Sequence, residues 1–186
     1  KLLERAGRTE VGSITGIYTV LVEGDDINEP VSDTARGILD GHIFLSRSLA
    51  DRGQYPAIDT LTSISRLMVD VAEQDHQEAA RLVRRVLASY RDAEDLINVG
   101  AYVKGSNPDI DLAIRMIRPV RQFLAQGIFE KSPPEETLKQ LKALATSAQQ
   151  MPRGDQQQQQ PPQPNRPGQR GVQPATGTAT PPGATG

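Results

Sequence analysis

Residues 55–68 read YPAIDTLTSISRLM. Tyr55 and Pro56 form a rigid corner, because proline fixes its own φ and restricts the residue before it. The corner leads through Asp59 into a turn that is rich in hydroxyl side chains, and Arg66 follows at the start of a short apolar run. The hydroxyl residues are Thr60, Thr62, Ser63 and Ser65. The pattern predicts a structured turn that presents Arg66.

Two interpretations stay open for Tyr55 and for Arg66. Tyr55 can pack partly into a core, or its ring can be a platform for a purine, a contact worth ~1–3 kcal/mol. Arg66 can be solvated or paired with a surface carboxylate. Alternatively, its guanidinium can reach across a subunit boundary to the charge that develops on a transferring phosphoryl group. Spacing alone does not choose between these interpretations.

The segment GRTEVG at positions 7–12 has the glycine spacing of a phosphate-binding loop. Ser13 and Ile14 follow it, however, where such a loop requires lysine and then serine or threonine. Without that lysine and the magnesium-binding hydroxyl, the motif fails on mechanism. We predict an ordinary loop here, and we expect that the chain alone does not hydrolyse nucleotide.

Composition narrows the class of protein. The chain has 186 residues and a formal net charge of -2, which gives no electrostatic case for nucleic acid or an anionic membrane. It has no cysteine, which excludes disulfides and thiolate metal sites. The longest apolar run, residues 14–22, is too short to span a bilayer. The sequence begins at Lys1 with neither Met nor a signal-peptide pattern, which indicates a fragment.

The hydrophobic pattern changes its period after Ser63. Before that point, residues 14–22 are typical of a strand buried on both faces of a parallel sheet, and residues 42–46 of a second short buried strand. After it, amphipathic helices are predicted at 77–90, 92–98, 107–124 and from 132 onward, with a kink at Pro119. We therefore predict an α/β segment over 1–73, a helical domain over 74–149, and a disordered Gln/Pro/Gly-rich tail over 150–186.

The other polar candidates have plain interpretations. His42 and His76 lack partners at ligand spacing, and adjacent aspartates in the loop at 23–29 are weak support for a metal, so no metal site is predicted. That acidic loop is either solvated or a contact for a basic partner. The basic side chains of the helix at 77–90 are expected to form a solvated patch; they are Arg81, Arg84 and Arg85.

Several motifs together carry a family resemblance. They are Leu-Leu-Glu-Arg-Ala-Gly (2–7), Gly-Ser-Ile-Thr (12–15), Val-Glu-Gly-Asp-Asp (22–26), Asp-Thr-Ala-Arg-Gly-Ile-Leu-Asp-Gly-His-Ile (33–43), Leu-Ser-Arg (45–47), the stretch at 55–66, Glu-Asp-Leu-Ile-Asn (94–98) and Gly-Ala-Tyr-x-x-Gly (100–105). In this order they resemble the C-terminal half of the flagellar protein-export ATPase and its type III secretion relatives, which are similar to the catalytic subunits of rotary ATP synthases. The resemblance covers residues 1 to about 147.

The resemblance implies the C-terminal portion of a RecA-like nucleotide-binding domain, followed by a small helical domain. It implies an ATP hydrolase that drives protein export as a homohexamer, using ATP with Mg²⁺ whose protein ligands lie outside this sequence. By position, Tyr55 with Pro56 matches the residue that stacks on adenine. Phe129 lies near the second aromatic of that pocket. Arg66 matches the arginine finger that serves the neighbouring subunit's site.

The resemblance also implies partners and a location. The acidic loop matches the segment that lines the central pore, where a coiled-coil stalk protein docks. Its candidate contact residues are Glu23, Asp25, Asp26, Asn28 and Glu29. Export-gate and chaperone–substrate complexes are further expected partners, nucleic acid is not, and the expected location is cytoplasmic and peripheral at the inner-membrane export apparatus. Two alternatives remain: a subunit of a rotary proton-translocating ATP synthase, and a non-catalytic module that binds chaperones or the stalk.

Overall fold

The first elements form a small hairpin. The computed structural model describes residues 3–150 apart from 23, 25 and 27. A 3-10 helix, Leu3–Arg5, precedes the antiparallel strands β1 (Gly7–Arg8) and β2 (Ser13–Ile14). Inside the connecting turn, the amide of Thr9 donates to the carbonyl oxygen of Gly12 at 2.7 Å. The glycine-rich segment is therefore a hairpin loop, as its missing lysine predicted.

A second antiparallel pair follows the acidic loop. Helix α1 (Pro30–Ile38) leads into strand β3 (Gly41–His42), which pairs with β4 (Ile64–Ser65). Helix α2 (Arg47–Asp51) and the turn at 59–63 lie between these strands, and helix α3 (Met68–Val71) follows them. The stretch at 55–68 thus begins in the segment that connects β3 to β4. It continues through β4 and ends at the first residue of α3.

The prediction of a long buried strand at 14–22 is wrong. Strand β2 ends at Ile14, and among the described residues of 15–22 no strand or helix forms. Ile17 and Leu21 are 94% and 90% exposed. A strand buried on both faces needs a hydrogen-bonded neighbour at each edge and a layer over each face. In the described part of the chain, β1 is the only strand partner of β2, so the rest of the run forms no ladder and stays mostly exposed.

The second predicted strand is also shorter and less buried than expected. Within 42–46, β3 contributes only His42, and one isolated bridge joins Leu45 to Ile58. Ile43 and Leu45 are both exposed. Their apolar side chains meet no second layer among the described residues, which is why the pattern predicted more burial than the structure shows.

Three long helices follow, and one boundary prediction is wrong. Helix α4 spans Gln74–Asn98 without interruption, where two helices had been predicted on either side of residue 91. Asp92 can cap a helix, but no glycine or proline precedes it to end the first one, so the helix continues through it. Helix α5 (Pro108–Leu124) begins as predicted, because the Asn107 side chain accepts hydrogen bonds from the amides of Asp109 and Ile110. Helix α6 spans Pro134–Gln150.

The hydrophobic core of the described chain lies among α4, α5 and α6. Its buried members are Ala79, Leu82, Val83, Val86, Ala113, Met116, Val120, Leu141 and Ala148. Before α4, the described hydrophobic residues include one that is buried, Ala35. The helical part therefore has its own close-packed core. Side chains that project from its surface are held on a rigid support. None of the described helices is both long and apolar enough to cross a bilayer.

Candidate functional site

The turn at 59–63 is held by its own aspartate and by β3. The Asp59 Oδ1 atom accepts hydrogen bonds from the amides of Leu61 and Thr62, at 2.9 Å and 3.2 Å. The Ser63 hydroxyl donates to the carbonyl oxygen of Asp59 at 2.6 Å and accepts from the amide of Phe44 at 2.9 Å. The predicted structured turn is confirmed, and side-chain oxygens close it at both ends.

Arg91 of α4 pairs with the same aspartate. Its Nη2 atom lies 3.2 Å from Oδ1 and 3.1 Å from Oδ2 of Asp59, whose side chain is only 13% exposed. Burial opposes ionisation of this carboxyl, but the amides of Thr62 and Leu61 and the Arg91 guanidinium outweigh it, so the pKa of Asp59 lies below its usual range. The turn therefore carries a fixed negative charge that is paired with the helical domain.

Arg84 of α4 makes the largest set of contacts with the turn. Its Nη1 atom donates to the carbonyl oxygens of Thr60 and Ser63, at 2.7 Å and 3.0 Å, and its Nη2 atom donates to that of Leu61 at 3.0 Å. Arg84 is exposed, as the predicted solvated patch requires, but its guanidinium also binds the turn, a contact that the sequence did not predict. A guanidinium presents several donors in one plane, and here that geometry matches three carbonyl groups that converge in the turn.

Arg66 leaves the turn on a short strand and rests on the end of α1. Its amide donates to the carbonyl oxygen of Asp40 at 2.8 Å, next to the β3–β4 pairing. Its guanidinium donates to the carbonyl oxygens of Arg36, at 3.1 Å, and Gly37, at 3.4 Å. Cations are favoured at helix C-termini, where carbonyl groups lack intrahelical partners. The residue is nevertheless exposed, so the guanidinium is oriented by its own chain and remains accessible.

Gly41 allows the strand before Arg66 to approach β3. A Cβ atom at this position would lie 2.6 Å from the carbonyl oxygen of Ile64 and 3.2 Å from the Cα atom of Ser65. Both distances are shorter than ordinary van der Waals contact. The close pairing of Gly41 with Ser65 therefore depends on the missing side chain.

Tyr55 lies at the edge of a groove of about 1000 Å³ beside α5 and α6. The residue is 57% exposed, and its carbonyl oxygen accepts a hydrogen bond from the amide of Gln126 at 2.8 Å. The other lining residues include Pro119, Gln122, Phe123, Ile128, Leu144 and Ser147. Aromatic, aliphatic and amide side chains thus line the groove together. Pro56 follows Tyr55 and is exposed.

Phe129 lies near this groove in sequence but not on its wall. The amide of Gly127 donates to the Glu130 carboxylate at 2.8 Å, and the Glu130 amide donates back to the Gly127 carbonyl oxygen at 3.0 Å. Phe129 sits within this tight turn and is 96% exposed, whereas Phe123, from α5, lines the groove with Tyr55. Phe123 was not predicted from the sequence as a groove residue, although its position next to Leu124 on α5 could have indicated this role.

Tyr55 and Arg66 are directed to different neighbours. The first adjoins the segment after α5, and the second adjoins the end of α1. The turn at 59–63 is the piece of chain between them, and α4 holds it through Arg84 and Arg91. A further ionic cluster lies close by, in which the Glu94 carboxylate lies 3.4 Å from Arg52 and 3.6 Å from Arg121.

The acidic loop is described in part. Asp26 accepts a hydrogen bond from the amide of Asn28 at 2.9 Å through Oδ1, and its carbonyl oxygen accepts one from the amide of Glu29 at 3.1 Å. Glu29 stands at the N-terminus of α1. Glu23 and Asp25 lie outside the described residues. The described polar groups thus form a turn that leads into the helix, and their predicted contact with a stalk protein remains a prediction.

The Gly-Ala-Tyr-x-x-Gly motif organises the loop between α4 and α5. The buried carboxylate of Asp111 accepts hydrogen bonds from the Tyr102 hydroxyl at 3.0 Å and from the amide of Gly105 at 2.9 Å. Gly100 and Gly105 adopt φ values of 71° and 91°, which favour glycine. The motif is thus a folding element of the helical domain.

The described residues contain no group of three or more His, Asp or Glu side chains placed to hold a metal ion. The candidate groups that they present, at two separate places, are an aromatic groove wall, at Tyr55, and an oriented exposed guanidinium, at Arg66. These groups suit a flat base and a developing anionic charge, and they make no metal centre by themselves.

Two family models match consecutive parts of the chain. The description "ATP synthase alpha/beta family, nucleotide-binding domain" applies to residues 1–65, and "T3SS EscN ATPase C-terminal domain" to residues 72–143. The chain is also 51% identical over 144 residues to the "Flagellum-specific ATP synthase" of Bacillus subtilis, an alignment that covers 77% of this chain and 33% of the relative. The chain belongs to the flagellar and type III secretion ATPase family. The predicted fold class, part of a nucleotide-binding domain followed by a helical domain, is confirmed.

Other members of this family agree. The "Type 3 secretion system ATPase" of Pseudomonas syringae pv. tomato is 49% identical over 138 residues, covering 74% of this chain and 31% of that protein. Among solved structures, the assembled ATPase EscN of enteropathogenic E. coli superposes with a TM-score of 0.74 at 43% identity, covering 77% of this chain and 35% of that one. A structure of EscN with its central stalk EscO gives 0.69 at 41%, covering 77% of this chain and 34% of that one. The chain spans about a third of the length of the curated relatives that it matches.

Proposed function

We propose that this chain forms the C-terminal portion of an ATPase that couples ATP hydrolysis to protein export through a flagellar or type III secretion apparatus. The observation that carries the proposal is the identity of about half to flagellar and type III secretion ATPases over nearly all of the described residues. An ATP synthase subunit, NeqB of Nanoarchaeum equitans, is similar at only 26% identity, with a TM-score of 0.68, which favours the export function over the rotary synthase. We propose the domain boundary between residues 73 and 74, and the start of α4 at Gln74 supports this choice.

The chain contributes the base site through Tyr55. Its ring lies at the mouth of the aromatic groove beside α5, next to the exposed Pro56, so that one face of the ring can stack on adenine. Phe129 and Phe123 are the candidates for a second aromatic contact. Phe129 lies in an exposed turn and would have to move to contact the base, whereas Phe123 already lines the groove.

The chain contributes its arginine to a neighbouring site. The α1 carbonyl groups occupy two of the five N–H donors of Arg66, and the remaining donors of this exposed group can meet an anion from another subunit. When bound, ATP with Mg²⁺ supplies the transferable phosphoryl group. Arg66 would stabilise the negative charge that develops on it, an effect worth ~10³-fold or more in turnover. This role requires a homohexameric ring, and EscN has been solved in assembled form.

The proposal also names partners and a cellular location. The acidic loop, whose candidate contact residues are Glu23, Asp25, Asp26, Asn28 and Glu29, is proposed to line the ring's pore and contact a central stalk. EscN, a protein that this chain resembles, has been solved in complex with its central stalk EscO. Export-gate and chaperone–substrate complexes are proposed as further partners. The ring would work in the cytoplasm, peripheral to the inner membrane at the export apparatus.

The proposal is tested by ATPase assays on the full-length gene product and on its Arg66→Ala and Arg66→Lys variants. Arg81→Ala is the matched control, since Arg81 is an exposed arginine of α4 with no hydrogen bond to the turn in the described chain, and its variant makes the same change of charge. Arg66→Ala is expected to lower kcat at least ~10³-fold while ATP binding stays nearly intact. Equal kcat in Arg66→Ala and Arg81→Ala would refute the finger role, and an inactive wild-type protein would refute the ATPase assignment itself.

A further inference from the structure

We propose that Arg84, a side chain of the helical domain, is a positioning residue that sets the place of Arg66. The inference rests on the proposed function, because it concerns the reaction that Arg66 is proposed to assist. It is carried by three hydrogen bonds from one guanidinium to the carbonyl oxygens of Thr60, Leu61 and Ser63, at 2.7, 3.0 and 3.0 Å.

The path of the chain makes this contact relevant to Arg66. Ser63, the last residue that Arg84 binds, is followed by the two residues of β4 and then by Arg66. Three residues span at most ~10 Å of extended chain. β4 is also paired with β3, and the Arg66 amide binds the Asp40 carbonyl oxygen at 2.8 Å. A displacement at Ser63 is therefore passed along a paired strand to the guanidinium.

The support on the other side of the contact is rigid. Arg84 follows two buried core residues of α4, Leu82 and Val83, and Val86 is buried one half-turn later. These residues pack against α5 and α6 in the core of the helical domain. A side chain that emerges from such a helix is better fixed than one on a loop. Arg84 thus transmits the position of the helical domain to the turn, and a shift of that domain would move Arg66.

The contact also has a chemical specificity that can be tested. Two nitrogen atoms of one planar group reach three carbonyl oxygens at once, which a single ammonium cannot reproduce. Arg84→Lys keeps the charge and the aliphatic stem but should lose part of the clamp. Arg91 stands two turns further along α4 and holds Asp59, so the turn keeps a second link to the helix when Arg84 is replaced.

The experiment uses the full-length gene product with Arg84→Ala, Arg84→Lys, Arg66→Ala and the double variant Arg66→Ala/Arg84→Ala. Arg81→Ala is again the matched control. Because misplacement by about 1 Å can cost on the order of 100-fold, Arg84→Ala is expected to lower kcat at least ~10-fold with the KM for ATP changed less than ~2-fold. Arg84→Lys should fall between this variant and wild type. The double variant should be no slower than Arg66→Ala, since Arg84 acts through Arg66.

Hydrogen exchange separates positioning from misfolding. Arg84→Ala should speed exchange of the amides at 61–66 while the amides of α5 keep their protection. If protection is lost throughout α4, α5 and α6, Arg84→Lys carries the comparison, because it preserves the stem that packs on the helix.

The outcomes that overturn the two proposals differ. If Arg66→Ala abolishes turnover while Arg84→Ala matches Arg81→Ala in kcat, the positioning role is wrong and the proposed function stands. A further loss of kcat in the double variant would also overturn the positioning role, because Arg84 would then act by a route independent of Arg66. If Arg66→Ala retains wild-type kcat, the finger role falls and the positioning role falls with it.

Discussion

Arg91 donates to both carboxylate oxygens of Asp59, at 3.2 Å and 3.1 Å, across 32 residues of sequence. The pair joins the middle of α4 to the first residue of the turn that leads to Arg66. Asp59 also closes that turn by accepting the amides of Leu61 and Thr62. One carboxylate therefore has two separable tasks, a local one in the turn and a long-range one with the helical domain.

Asp59→Asn should separate these tasks. Asparagine keeps an oxygen for the amides of Leu61 and Thr62 but loses the charge that pairs with Arg91. Since Arg91 is 53% exposed, we expect the free energy of unfolding of the 186-residue chain to fall by only about 1 kcal/mol at pH 7. Asp59→Ala should cost more, because it also removes the turn acceptor. Equal urea midpoints for the two variants would show that the turn contacts contribute nothing.

The difference in the free energy of unfolding between wild type and Asp59→Asn should depend on pH in one direction. The pKa of Asp59 is lowered in the folded chain, so the stability that its charge contributes is fully present above the unfolded value of about 3.9. That contribution is lost as the pH falls through the folded pKa. The gap between wild type and Asp59→Asn should therefore close in acid, and a gap that widened in acid would contradict the pairing with Arg91.

Gly41→Ala should disturb Arg66 without touching it. The added Cβ would meet the Ile64 carbonyl oxygen at 2.6 Å, so β3 and β4 must separate. We expect a loss of ~1–3 kcal/mol in the free energy of unfolding and faster exchange of the Arg66 amide. Gly37→Ala is the control, because open space surrounds its Cβ position and alanine favours the helix by up to ~1 kcal/mol. The prediction is wrong if both variants have the same stability.

Lys142 of α6 pairs with Asp75 at the start of α4, and this pair should give a free energy of unfolding that is highest and nearly constant around neutral pH. Hydrogen bonding to Lys142 lowers the pKa of Asp75, and hydrogen bonding to Asp75 raises the pKa of Lys142. The first contribution is lost as the pH falls through the lowered carboxyl pKa, and the second as the pH rises through the raised ammonium pKa. Lys142→Met should flatten the pH profile of the urea midpoint at both ends. Lys139→Met, on the same helix at a more exposed position, should leave the profile unchanged.

Tyr55→Ala should act mainly on nucleotide binding. Loss of a stacking contact worth ~1–3 kcal/mol corresponds to a rise of roughly 5- to 150-fold in the KM for ATP of the full-length gene product. Tyr55→Phe is the control, because it preserves the ring and should stay close to wild type. Parallel Phe123→Ala and Phe129→Ala variants identify the second aromatic contact. A KM unchanged in Tyr55→Ala would refute the base site.

Local chemistry made some elements of this fold predictable. The side-chain oxygen of Asn107, just before Pro108, caps the start of α5, and Gly100 marks the end of α4. Both could be predicted from the sequence because each acts within a few residues. The turn at 59–63 belongs to the same class, since its aspartate and serine bind the backbone nearby. Family resemblance then indicated which side chains of that stretch to consider for function.

Other features depend on distant partners and could not be found in the same way. Arg84 binds backbone carbonyl groups 21 to 24 residues away, and every residue type carries such a group, so no sequence pattern marks the contact. The run at 14–22 has the composition of a buried strand, but burial is a property of the layers around a strand. Within the described chain these layers are absent, and Ile17 and Leu21 remain exposed.

The most direct test of the account is a mixing experiment with two inactive forms of the full-length gene product. One carries Arg66→Ala, and the other keeps Arg66 but has a disabled phosphate-binding loop, which the proposed function requires outside the residues of this chain. If Arg66 completes the site of a neighbouring subunit, mixed rings contain some interfaces with both elements intact, and ATPase activity should return when the two are combined. A mixture that forms rings yet stays as inactive as its components would contradict the account.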